Sequence, residues 1–421
     1  MTAQSLRPVV TGTGVRVANA ADSDAFLEVL RSGRSGVTAV GNADCPEPAA
    51  ELLDLDFAAE LVRRSALGEQ VLGRAGRIGR RATLTAQVSL LVALQAWEQA
   101  QLHTRPLRAD RVSVIVAGHN LAGQYAERQW HQLAGNPAYL RPSTALQYQD
   151  SFGVAAVSSA LGITGEGSTI GAASASGNVA LIHGVRLLAT GAADACLVVG
   201  AVTELSSLQR RAYLNLGAMA VWDERWDAAA QCRPFDADRA GFVPGQGAAA
   251  VLLETPASAA RRGQPALATV LGEASRLDAN HSADPSVAGE MAAMLAALQV
   301  AGLDASEVDY LNAHGTGSPL GDDTEVLAIE KVFHGALDRV WVNATKSITG
   351  HCLSSAGVVE AVATVGQLRG GFVHPNPNLA KPVGPLRFSR AEAPSADIEV
   401  AMSNGFGFGG FNTSVLFGRA R

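Results

Sequence analysis

Three side chains sit where chemistry is easiest to arrange. Ser174 lies in Thr169-Ile-Gly-Ala-Ala-Ser-Ala-Ser-Gly177, where a strand-like stretch breaks into small residues ahead of a helical pattern. A side chain lifted to a helix N-terminus meets free backbone N–H groups and the helix dipole, which stabilise negative charge. His314 sits in Asn312-Ala-His-Gly-Thr-Gly-Ser-Pro-Leu-Gly-Asp322, directly after a strand-like run. His351 sits in Lys346-Ser-Ile-Thr-Gly-His-Cys352, directly before a second small-residue helix. Glycine-flanked loops after strands admit a substrate closely and carry function more often than the elements they join. One histidine in such a loop is better explained by a structural hydrogen bond. Two, together with Ser174, point to a site that stabilises an oxyanion or activates a nucleophile.

The elements needed to position these residues are legible as alternation. Strand-like runs at Val9–Thr11, Val112–Ala117, Ala195–Val199, Gly247–Glu254, Tyr310–Ala313, Val340–Asn343 and Thr413–Gly418 alternate with helices such as Asn178–Leu188 and Ala292–Ala301. This pattern predicts α/β layering. Thr255–Pro265 is small, polar and Pro-bounded, and reads as the join between two halves, residues 1–254 and 255–421. The halves echo each other. The Gly-Asn-Val-Ala-Leu-Ile helix after Ser174 resembles Ala356-Gly-Val-Val-Glu-Ala-Val after His351, and a duplicated unit would bring both helix starts to one central site.

Composition narrows the function. The 421 residues are 48% apolar with a net charge of −6, enough for a large core and too mild for nucleic acid as a bulk partner. No run of eighteen apolar residues marks a membrane span, and the start lacks a signal-peptide core. Cys45, Cys196, Cys232 and Cys352 form no CxxC pair, so neither zinc nor a redox dithiol is expected. Free thiols and a cytoplasmic setting follow. Gly405-x-Gly407-x-x-Gly410 spells a dinucleotide fingerprint but precedes a strand rather than a helix. Asp236-x-Asp238 lacks the twelfth-position carboxylate of a calcium loop, and Ser174 lacks the leading glycine of a hydrolase elbow.

The motifs resemble those of β-ketoacyl synthases, in order along the whole chain. Asn312-Ala-His-Gly-Thr-Gly with Gly321-Asp-Asp-Thr-Glu325 resembles the first histidine motif, and Lys346 with Gly350-His351 the second. Ser403-Asn-Gly-Phe-Gly-Phe-Gly-Gly-Phe-Asn412 resembles the C-terminal glycine loop, and Pro234–Gly247 the segment closing the N-terminal half. The resemblance implies a thiolase-like fold in an αβαβα arrangement, a homodimer, and substrates carried on the phosphopantetheine arm of an acyl carrier protein or on coenzyme A. It gives Phe406 and Phe408 as gate and oxyanion elements. The Ser174 and Phe408 amides would form the hole, Thr316 and Ser318 would contact the phosphopantetheine, and Lys346 and Glu325 would orient the histidines.

Ser174 stands where the resembled family has its nucleophilic Cys, and Gln246 where it usually has Glu, a change read as structural. A hydroxyl needs a general base where a thiolate does not. Acyl loading is therefore expected to be weak, while decarboxylation of a malonyl thioester needs only the histidines. The resemblance extends to ketosynthase-like decarboxylases of polyketide β-branching, which supply acetyl-carrier protein to a 3-hydroxy-3-methylglutaryl synthase-like enzyme. A Ser-dependent acyltransferase and a non-catalytic, chain-length-factor-like partner subunit are the competing expectations. A local basic stretch with Arg63, Arg64, Arg74 and Arg77, extended by Arg210 and Arg211, is the expected dock for an acidic carrier protein.

Overall fold

The computed structural model describes residues 7–42 and 45–420. Ten strands form the main sheet: β1 (Val9–Val17), β2 (Val112–Ala117), β3 (Gly167–Ile170), β4 (Ala195–Gly200), β5 (Gly247–Glu254), β6 (Ala268–Leu277), β7 (Tyr310–Asn312), β8 (Trp341–Asn343), β9 (Val400–Gly407) and β10 (Phe411–Arg419). Their order is β8-β7-β9-β10-β6-β1-β5-β4-β2-β3. Each set of five repeats one pattern, third-second-fourth-fifth-first, with the same parallel and antiparallel pairings. The sets meet where β1 pairs antiparallel with β6 at Val9↔Thr269 and Val10↔Ala268.

Helices α1 (Leu84–Gln99), α2 (Ser176–Ala189), α3 (Val287–Ala301), α4 (Pro319–Val332) and α5 (Ala356–Gly370) build the layers. Helix α1 packs outside the first set and buries residues on every face, including Leu90, Leu91 and Leu94. It approaches β1 so closely that a Cβ on Gly12 or Gly14 would lie 2.2 Å from the Ala96 or Val92 carbonyl oxygen. Those glycines break the β pattern in sequence, yet they let the strand run to Val17 beneath a helix. Helices α3 and α4 cover the outside of the second set. Between the sets lie α2 and α5, packed through Leu181, Ile182, Val358, Val359 and Val362. The thiolase-like αβαβα arrangement follows from these layers.

At the centre, the first turns of α2 and α5 touch through backbone. A Cβ on Gly177 would lie 2.7 Å from the Val358 nitrogen, and one on Gly357 2.6 Å from the Asn178 nitrogen. The two helix starts do converge, as the internal echo suggests.

Some local expectations change. Pro256–Arg262 within the expected join is a helix, capped by Thr255 with Pro256 in its first turn. Ser403–Asn412 is mostly strand: β9 and β10 form a hairpin, and only Phe408–Gly410 turn, with Gly409 and Gly410 at positive φ. A separate two-stranded ribbon pairs Thr38–Asn42 with Cys45–Ala49, despite Pro46 and Pro48.

Candidate active site

Ser174 follows β3 on a sharp turn. Ala173 has φ of +47°, a region costly to any residue with a Cβ. The turn is pinned by Ser176, whose hydroxyl accepts from the Ala172 amide (2.7 Å) and donates to the Ala173 carbonyl (2.6 Å). Helix α2 starts two residues beyond Ser174, and its hydroxyl faces His351, with Oγ 2.9 Å from Nε2.

The Leu353 amide donates to His351 Nδ1 at 3.2 Å, so Nδ1 is an acceptor and the single proton of the neutral ring is on Nε2. His351 therefore donates to Ser174. Burial, and then the Lys346 charge, hold the imidazole well below its usual range, so it stays neutral. The Phe242 ring meets it edge-on at 5.4 Å.

His314 follows β7 and is half-buried. Its Nδ1 lies 3.3 Å from Lys346 Nζ, an ammonium that can only donate, which again puts the ring proton on Nε2. Burial, Lys346 and His351 push its pKa well down. The two imidazoles stand at 86° with centroids 5.6 Å apart, both lining one cavity. Two neutral N–H donors thus converge on a small region beside Ser174.

Behind them lies a buried charge pair. Lys346 Nζ contacts Glu360 Oε1 at 2.5 Å and donates to the His314 carbonyl at 2.6 Å. Glu360, on α5, is the ion partner of Lys346. Glu325 instead holds backbone, accepting from the His314 (2.7 Å) and Gly315 (2.8 Å) amides. Burial raises both carboxyls. The sequence reading missed Glu360, although a lone acid inside Ala356-Gly-Val-Val-Glu-Ala-Val was a visible signal.

The cavity encloses about 470 Å³ and is also lined by Thr316, Ser318, Tyr213, Phe406, Phe408 and Glu290. Phe406 is buried with its ring 5.7 Å from His314, while Phe408 is 39% exposed at the mouth. Among the described residues, neither the Ser174 nor the Phe408 amide has a backbone acceptor, so both are free for an oxyanion. Ser318 also caps α4 through the Gly321 amide. Gln246 receives the Leu52 amide at 3.0 Å, a structural role that does not need charge.

Three cysteines lie among the residues whose side chains are described, and none lines the cavity. Cys196, Cys232 and Cys352 are buried, and burial pushes each thiol up to about 12. Among the described residues, no group of His, Cys, Asp or Glu is arranged to hold a metal, and no helix is long and apolar enough to cross a membrane.

The expected basic face divides. Arg64 is spent on Glu98 (3.0 Å), Arg74 on the Ala160 carbonyl, and Arg210 on Glu47 and Glu51. Arg63, Arg77 and Arg211 are exposed.

Family models describe both parts of the chain: the β-ketoacyl synthase N-terminal domain matches residues 7–259 and the C-terminal domain residues 267–380. The chain is 32% identical to "Polyketide biosynthesis malonyl-ACP decarboxylase PksF" of Bacillus subtilis (strain 168), covering 97% of this chain and 95% of that protein. It is 30% identical to 3-oxoacyl-[acyl-carrier-protein] synthase 2 of Staphylococcus aureus (strain MRSA252), covering 98% of each. The solved structure of the ishigamide ketosynthase/chain length factor superposes with a TM-score of 0.86 at 26% identity, over 99% of this chain and all of that one. With its doubled sheet, paired histidines and matches along both halves, the chain belongs to the β-ketoacyl synthase family.

Proposed function

We propose that this protein decarboxylates a malonyl group, carried as a thioester on the phosphopantetheine arm of an acyl carrier protein, to an acetyl group. The observation that carries this reading is the donor state of the two histidines. With Nε2–H on both His314 and His351, the cavity presents two donors, and the histidine bonded to Ser174 is a donor rather than a base. Loss of the carboxylate breaks one carbon–carbon bond. Its electron pair becomes the enolate, whose charge gathers on the thioester oxygen. Preorganised donors there lower the barrier, each by a few kcal/mol. CO2 departs, and a proton on the enolate carbon completes acetyl.

The relative named as a malonyl-ACP decarboxylase supports this reading, though the condensing enzyme of similar identity shows that family membership alone does not decide it. The Ser-dependent acyltransferase alternative needs His351 as a base, whereas Leu353 holds it as a donor. A purely scaffolding subunit would have no use for the Lys346–Glu360 pair behind the donors.

Thr316 and Ser318 would meet the pantetheine arm at the cavity mouth, with Arg63, Arg77 and Arg211 left to steer an acidic carrier. A homodimer is consistent with the helix Gly123–Gly135, which buries none of its residues, and with the open edge of β3. Acetyl-carrier protein would then feed a 3-hydroxy-3-methylglutaryl synthase-like enzyme in polyketide β-branching.

The test is a mass assay of malonyl-carrier protein turning into acetyl-carrier protein. His314→Ala and His351→Ala should each slow it by about a hundredfold or more. Turnover surviving both changes would refute the assignment.

A further inference from the structure

The enolate must be quenched, and the two histidines cannot do it cheaply. Each already directs its one proton at the oxygen, and giving it up from a neutral ring would leave an imidazolate. Lys346 does not line the cavity. Asp322 and Glu325 do, but their oxygens are occupied by the Phe235, Thr316 and Gly317 amides and by the His314 and Gly315 amides.

Glu290 differs. It sits in the first turn of α3, borders the cavity and is 1% exposed, and its Oε2 has no hydrogen-bond partner. One turn further along α3, Met294 receives the Asn404 side-chain amide, which also reaches Glu325, so Glu290 stands on the His314 side of the site. The charged groups acting on it are carboxyls, Glu325 and Asp322 from α4 and Asp278 just past β6, while Asp284, His119 and His314 line the same cavity. Burial first, and then those like charges, raise its pKa well above the ordinary carboxylate range. Burial without a partner, among like charges, favours the protonated form of this carboxyl.

We propose that Glu290 is the general acid that protonates the enolate carbon, so that the site supplies a proton where a condensing enzyme would supply an acyl donor. This rests on the decarboxylase reading above. The enolate electron pair takes the Glu290 proton, forming the carbon–hydrogen bond of acetyl. The carboxylate left behind is reprotonated from water, so each turnover consumes one proton and releases one CO2.

The experiment uses the full chain with malonyl-carrier protein and 13C-labelled CO2/bicarbonate, comparing parent, Glu290→Gln and Glu290→Asp. Glu290→Gln should form acetyl about a hundredfold more slowly. Its long-lived enolate should recapture label, so 13C appears in the remaining malonyl pool. The parent rate should fall on the alkaline side, a limb that Glu290→Gln lacks and Glu290→Asp retains. Label exchange and the pH limb would not respond to a merely structural role. Glu290→Gln turning over within about twofold of the parent, with the same pH profile and no exchange, would overturn the proposal while leaving the decarboxylase reading intact. A parent chain that releases no CO2 would overturn both.

Discussion

The two halves place a polar side chain at the same two points: after the second strand, His119 in the first half and His314 in the second, and after the third strand, Ser174 and His351. The scaffolds match, but the investment behind them does not. In the second half, the Lys346–Glu360 pair, Glu325 and the Leu353 amide fix the orientation and proton of two imidazoles. In the first half, Ser174 rests on a strained turn and accepts a hydrogen bond from the other half's histidine. The buried charge support lies in the second half, and in the first half Ser174 is an acceptor within the histidine network.

The comparison breaks most severely at Lys346. Removing one partner of a buried pair leaves the other charge uncompensated, at about 3–5 kcal/mol. Lys346→Ala should therefore lower thermal stability sharply as well as activity, because Glu360 is only 2% exposed. Lys346→Met with Glu360→Gln should recover most of the stability without restoring the rate, which separates packing from polarisation.

A smaller effect is expected where the halves touch. Gly177→Ala must push α2 off the Val358 backbone, and overpacking of this kind costs about 1–3 kcal/mol in chemical denaturation. The rate should fall with it, since the same turn carries Ser174. If Gly177→Ala is as stable and active as the parent, the central helix contact is not what sets the site geometry.

Smallest of all should be Ser174→Ala. It removes an acceptor that the neutral His351 can exchange for substrate or water, so malonyl turnover should stay within a few-fold of the parent. A loss comparable to the histidine variants would mean that Ser174 acts chemically.

The site was more legible in the sequence than its support. Glycine-flanked loops betray themselves because glycine adopts their backbone without strain: Gly350 stands before His351 at φ +65° and Gly315 after His314 at +36°. Supporting partners come from distant segments with no local signature. Glu360 is hidden within an apolar helix, and Arg210 looks free until Glu47 and Glu51 fold against it. Strand β9 was concealed by its glycines and read as loop, though β7 and β10 supply its ladder on both sides. The ribbon at Thr38–Ala49 was masked by prolines, which an edge tolerates but a strand pattern does not advertise.

The central claim is that the site breaks a carbon–carbon bond without ever being acylated. Intact mass of both protein and carrier, followed through one incubation with malonyl-carrier protein, tests it most directly. The carrier should lose the mass of CO2 while the protein mass stays unchanged, and Ser174→Cys should be the variant that acquires an acyl adduct from an acyl-carrier protein. A stable acyl ester on Ser174 of the parent chain, formed before acetyl-carrier protein appears, would contradict the account.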